Sequence, residues 1–132
     1  MLTLKAEKSS DKTDYELLFI GNSGIILNDV PDLVYHIACA AGKDLYVEMQ
    51  ATGGKKLYEH AACPETEAKI NERNWDCVIL QGTPLMAYPE EFSYLEVSTA
   101  LVILRNKIWS NNPHTRIIYS MPWAFEDGMT WY

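Results

Sequence analysis

The sequence predicts an α/β domain, a three-layer sandwich around a parallel sheet. Three observations predict it. Four short apolar runs, at 15–20, 45–49, 77–80 and 116–120, are separated by stretches with helical spacing, the alternation that βαβ units require. The third run, Cys77-Val78-Ile79-Leu80, is apolar without a break, as a central strand buried on both faces must be. Three of the four runs are followed by glycine, which marks tight turns at the strand ends.

Taken in order, residues 1–14 are polar and charged and form a loose lead-in, neither a signal peptide nor an anchor. Residues 15–20 are the first strand. Residues 24–28 read as a loop with outward Ile25, Ile26 and Leu27. Asn28 or Asp29 then caps a helix that has Pro31 in its first turn and Asp32 beside its positive end. Leu33, Val34, Ile37, Ala38 and Ala41 recur at helical spacing as its apolar side, and Gly42 stops it. The second strand, 45–49, leads to Gln50-Ala51-Thr52-Gly53-Gly54. Helices follow at about 55–60 and from Pro64 to about residue 73. The third strand exits into Gln81-Gly82-Thr83-Pro84. Residues 91–111 are the longest helix, with Leu95, Leu101, Val102, Leu104, Ile108 and Trp109 as its apolar side, and Asn112-Pro113 breaks it. The fourth strand ends at Ser120-Met121-Pro122. The expected sheet is doubly wound in flavodoxin-like order, 2-1-3-4, with a fifth strand missing.

At 132 residues the chain is one domain, 1–132, with room for a real core. A net charge of −7 and only one basic pair, Lys55-Lys56, argue against a nucleic-acid partner. No apolar run exceeds six residues, far below the ~20 of a membrane-spanning helix. Cys39, Cys63 and Cys77 have no metal-like spacing, and Cys39 and Cys77 read as small core residues in a reducing compartment. The reading invokes no metal and no cofactor.

In a doubly wound sheet the carboxyl ends of the strands share one edge, and that edge carries the site. Here it collects Gly21-Asn22-Ser23-Gly24, Thr52-Gly53-Gly54, Gln81-Gly82-Thr83 and Ser120-Met121-Pro122. A serine on a glycine-flanked turn after a buried strand suits a nucleophile, and glycine-rich ends offer backbone amides to an oxyanion.

These blocks resemble the SGNH (GDSL-type) hydrolases, over residues 17 to about 123. Gly21-Asn22-Ser23 matches that family's first block, Gly53 or Gly54 its second, and Gln81-Gly82-Thr83 a variant of its Gly-x-Asn third block. "WDCVILQ" with "GNS" and "GG" is similar to a largely uncharacterised subgroup. The resemblance implies a serine esterase or acyl hydrolase, with a carbohydrate acetylesterase as one form of it, acting on a small acylated substrate. It implies Ser23 as nucleophile and an oxyanion hole from the amides of Ser23 and of Gly53 or Gly54. Thr83 stands where the family has asparagine, and Gln81 is the nearer chemical substitute.

The family's Asp-x-x-His block is absent from this sequence, and a serine hydroxyl needs a base to take its proton. His114 precedes the fourth strand, about 15–20 Å from the edge at ~3.3 Å per residue. His36 is midway along a helix. His60, just past Gly54, is the one histidine that could approach Ser23. Glu126 and Asp127 read as solvated loop acids. The simplest expectation is the N-terminal portion of a longer hydrolase, inactive or incomplete by itself. Its bare fourth-strand edge, with Trp123, Phe125, Trp131 and Tyr132, would pair with a second copy. The alternatives are a non-catalytic flavodoxin-like module that binds an anion or sugar, and an oligomerising fragment without activity.

Overall fold

The computed structural model describes residues 14–82 and 94–120, with only the backbone of residues 94–96. Its elements are β1 (Tyr15–Gly21), α1 (Ser23–Ile26), α2 (Val30–Ala40), β2 (Leu45–Ala51), α3 (Leu57–Ala61), α4 (Pro64–Asn71), β3 (Cys77–Gln81), α5 (Tyr94–Asn111) and β4 (Arg116–Ser120). The four strands form one parallel sheet in the order β2-β1-β3-β4, as the sequence predicts. Phe19 lies between Met49 and Ile79 in register, so β1 is central and Gly21 ends level with Ala51.

The chain moves one way from β1 to β2 and the other way from β2 to β3 and β4. Right-handed crossovers therefore put α2 on one face and α3, α4 and α5 on the other. Leu18, Ile20, Val78 and Leu80 alternate onto the α3–α5 face, where they pack with Leu57, Ala61, Ile70, Leu104 and Ile108 into one buried cluster. Burying side chains of this size stabilises the fold by about 1.5–3 kcal/mol each. Trp75 sits at the amino end of the sheet, fully buried. Its indole N–H donates to the carbonyls of Lys69 (3.2 Å) and Ile70 (3.1 Å), which satisfies the last turn of α4.

The β2 edge carries charge instead of apolar bulk. Lys69 bridges Glu48 and Glu72, and the Arg73 guanidinium lies 3.8 Å over the Tyr46 ring while reaching Glu16 at 3.1 Å. Burial pushes the Glu48 carboxyl up, but hydrogen bonds from Lys69 and Tyr46 outweigh it and leave the group below its ordinary value.

Several local expectations change. The segment after Asn22 is a helical turn, and Ile25 is buried at 3% exposure, whereas Ile26 and Leu27 do face solvent. Asp29 is the residue before α2, at φ 44°, a left-handed conformation that aspartate tolerates, and its side chain makes no capping bond. Gly42 ends the helix at φ +72°, with Lys43 N–H returning to the Ala38 carbonyl. The stripe of α2 does not pack as a whole: Leu33 and Ile37 are 57% and 62% exposed. Cys39 is exposed, not a core residue, because it lies in the last turn of α2, where Ile37 and Ala40 are exposed as well; Cys77 is buried. On α5 the buried side is Ala100, Leu104 and Ile108, one residue every helical turn. Val102 and Trp109 face outward, with the Trp109 indole bonded to the Thr115 carbonyl at 3.0 Å.

Candidate functional site

The carboxyl ends of β1, β2 and β3 meet where the parallel register requires. Asn22 is the residue before α1, in extended conformation, and its side-chain oxygen accepts from Gly24 N–H at 3.2 Å. Its amide nitrogen donates to the Lys55 carbonyl at 3.3 Å, and this ties the Gly53-Gly54 loop to the turn that carries Ser23. Thr52 N–H reaches the Gly21 carbonyl at 3.3 Å. Ser23 itself is half-buried and opens α1, so its amide has no acceptor within that helix. Among the described residues, none accepts from that amide and none bonds the hydroxyl.

Gln81 lies under this turn, buried at the end of β3. Its Oε1 accepts Asn22 N–H at 3.0 Å and its Nε2 donates to the Gly82 carbonyl at 2.6 Å. The amide fills the space where side chains at Gly21 and Gly24 would go. A Cβ at Gly21 would fall 2.5 Å from Gln81 Oε1 and 2.5 Å from Ile25 Cδ1, and one at Gly24 would fall 2.9 Å from Gln81 Nε2. The glycines on either side of Asn22-Ser23 therefore make room for an amide that supports the turn. The Gly53-Gly54 loop is different. It has no atom within 4 Å of either added Cβ, and Gly54 is at φ +73°.

His60 is fully buried. Its Nε2 is 2.8 Å from the Gly21 carbonyl and its Nδ1 is 2.9 Å from Thr66 Oγ1. Both ring nitrogens are occupied, so neither is left to take the Ser23 proton, and the expectation of His60 as a base gives way to a structural part. Burial pushes its pKa down, more than the bond to the Gly21 carbonyl pushes it up, and the Lys55 ammonium lowers it further.

Beside it, Lys55 Nζ donates to Cys63 Sγ at 3.0 Å, and Cys63 Sγ is 2.9 Å from Glu65 Oε2. The Glu65 carboxylate holds the thiol up and Lys55 pulls it down, with a net shift downward.

The remaining histidines stand apart. His36 is exposed and paired with Asp32 at 3.2 Å, and His114 is exposed just before β4. Thr83, Glu126, Asp127 and the aromatics Trp123, Phe125, Trp131 and Tyr132 lie outside the described residues. Among the described residues there is no His/Cys/Asp/Glu group able to hold a metal ion, and no helix is long and apolar enough to cross a membrane. Sequence reasoning missed Thr66 and the organising role of Asn22. The Asn22 side chain was legible as a turn-former, whereas nothing in the sequence pairs Thr66 with His60.

No family model matches this chain, and no curated protein does. Among solved structures it is similar to a DUF4886 family protein from Bacteroides uniformis, with a TM-score of 0.67 at 18% identity over 84% of this chain. The match spans 51% of that protein, about half its length. At this identity the likeness carries the fold.

Proposed function

We propose that this chain carries the nucleophile side of an SGNH-type serine esterase or acyl-hydrolase site, with Ser23 as nucleophile for a small acylated substrate. The observation that carries the reading is the turn itself. Ser23 sits at the carboxyl end of the central strand, half-buried, with its amide and hydroxyl unengaged among the described residues. In this reading Ser23 Oγ attacks the acyl carbon, and the developing oxyanion takes hydrogen bonds from the amides of Ser23 and of Gly53 or Gly54. The alcohol departs with a proton, and water then releases the acid from the acyl-enzyme. Gln81 supports the turn through Oε1, and the second hydrogen on its Nε2 is a further donor candidate, beside Thr83.

The base comes from outside the described residues, since both ring nitrogens of His60 are paired and His36 and His114 stand apart from the Ser23 turn. A residue outside the described ones, or a second copy of the chain, supplies it in this proposal. Self-association through the β4 edge belongs to the same reading: Ile118 and Tyr119 are 46% and 39% exposed there. Light scattering at micromolar concentration should give a species above monomer mass; a monomer removes that part.

The test is fluorophosphonate labelling read by peptide mass spectrometry, with Ser23→Ala as control. An adduct on Ser23 that the variant abolishes supports the reading. No adduct, together with saturable binding of a small carboxylic acid or sugar, moves the assignment to a non-catalytic binding module. That second reading is favoured by one observation, the occupied ring of His60.

A further inference from the structure

Of the two peptide planes between β1 and Ser23, the first joins Gly21 to Asn22. Its carbonyl oxygen receives two donors, Thr52 N–H at 3.3 Å and His60 Nε2 at 2.8 Å. Its N–H, on the opposite side, donates to Gln81 Oε1 at 3.0 Å. Because the peptide unit is planar, holding both ends fixes its rotation. Glycine at 21 makes the plane easy to turn, so something must hold it.

The chemistry of the ring follows from its partners. A carbonyl oxygen only accepts, so the hydrogen is on Nε2. A neutral ring then leaves Nδ1 bare, and the Thr66 hydroxyl must donate to it. With the hydrogen on Nδ1 instead, a bare Nε2 would face the Gly21 oxygen at 2.8 Å, lone pair against lone pair. The Gly21 carbonyl thus selects the tautomer, and the Thr66 hydroxyl satisfies the bare Nδ1. His60 and Thr66 are both fully buried, out of competition with water.

We infer that His60, in the Nε2–H tautomer that the Gly21 carbonyl requires and braced at Nδ1 by Thr66, is a positioning residue that clamps the Gly21–Asn22 peptide plane together with Gln81 and so aims the Ser23 hydroxyl and amide. This rests on the reading of Ser23 as nucleophile. His60 touches no substrate; it acts through the backbone.

The experiment uses the whole chain with 15N-labelled histidine. Long-range 15N–1H spectra should show His60 carrying its hydrogen on Nε2. Thr66→Val, close in size but without a hydroxyl, should leave Nδ1 without a donor, loosen the Nε2–H bond to the Gly21 carbonyl (read as an upfield shift of that proton), and slow fluorophosphonate labelling of Ser23 by about tenfold or more, the scale of a small misplacement. Thr66→Ser should restore both. His60→Gln, whose amide can still donate to the carbonyl, should label faster than His60→Leu, and this second pair decides the matter if Thr66→Val does not fold. A ring with its hydrogen on Nδ1 overturns the inference, as does Thr66→Val labelling at the wild-type rate. Wild-type protein that takes no label sinks the nucleophile reading instead. The clamp is then judged on the Asn22 and Ser23 amide resonances: displaced by Thr66→Val and returned by Thr66→Ser if it holds, unmoved if it does not.

Discussion

The two glycine loops at the sheet edge are alike in sequence and opposite in physics. Gly21 and Gly24 are glycines because the inside is full: the Gln81 amide and the Ile25 side chain stand where their Cβ atoms would go. Gly53 and Gly54 have open space around them, and only the backbone conformation of Gly54 calls for glycine. The first loop is therefore a packed support for Ser23. The second is a bend that presents amides to solvent. A glycine count at a strand end says that a turn is present, and packing says what the turn is for.

The largest break in this comparison is Gly21→Ala. A methyl there must displace Gln81, whose Cβ is also close at 3.0 Å, and with it the bond to Asn22 N–H. A loss of about 1–3 kcal/mol in urea unfolding is expected from overpacking, along with loss of any Ser23 labelling. Gln81→Ala leaves Asn22 N–H without its acceptor and costs a similar amount, ~1–3 kcal/mol. In that background Gly21→Ala should cost less than in the wild type by the share due to the Gln81 amide, while the contact with Ile25 Cδ1 remains. A double-mutant cycle reads the coupling, and strict additivity would mean that Gln81 is not what Gly21 makes room for.

The second loop should respond more weakly and to conformation alone. Gly54→Ala is expected to lose about 1–2 kcal/mol, the cost of a left-handed L-residue, while Gly53→Ala stays within ~0.5 kcal/mol. Equal effects at the two positions would show that space, not φ, governs this loop.

The gentlest probe is pH, and it acts on the first loop. The folded pKa of His60 lies below the ordinary 6.5, so the unfolded chain takes up the proton first as pH falls. The contribution of the neutral ring is whole above about 6.5 and is lost progressively down through the lowered folded value. Urea midpoints from pH ~8 to ~5 should fall, and less steeply in His60→Gln, which has no ring to protonate. A variant as acid-sensitive as the wild type would place the responsible group elsewhere.

Much of the architecture was legible because periodicity reports it directly. The unbroken run Cys77-Val78-Ile79-Leu80 marks a central strand, and alternation with helices gives the parallel order 2-1-3-4. The clustering of Ser23, Gly54 and Gln81 at one edge follows from that order alone. What periodicity cannot report is which neighbour covers a surface. Leu33 and Ile37 have helical spacing, yet they face outward, and Ile25 looked like a loop residue, yet it plugs the space beside Gly21. The role of His60 depended on partners 39 and 6 residues away, and sequence distance carries no trace of either. A histidine near the Ser23 turn suggests a base, and only its two hydrogen bonds show that both ring nitrogens are taken.

The outward stripe of α2 has a practical consequence for anyone who melts this protein. With Leu33, Ile37 and Ile118 about half exposed or more, the native state offers apolar ground to an environment-sensitive dye. Such a dye should glow before any heating, and its thermal curve would begin high and rise little. Trp75, sealed from solvent at 0% exposure, is the better thermometer. With the other three tryptophans replaced, its emission should move red only when the sheet itself comes apart.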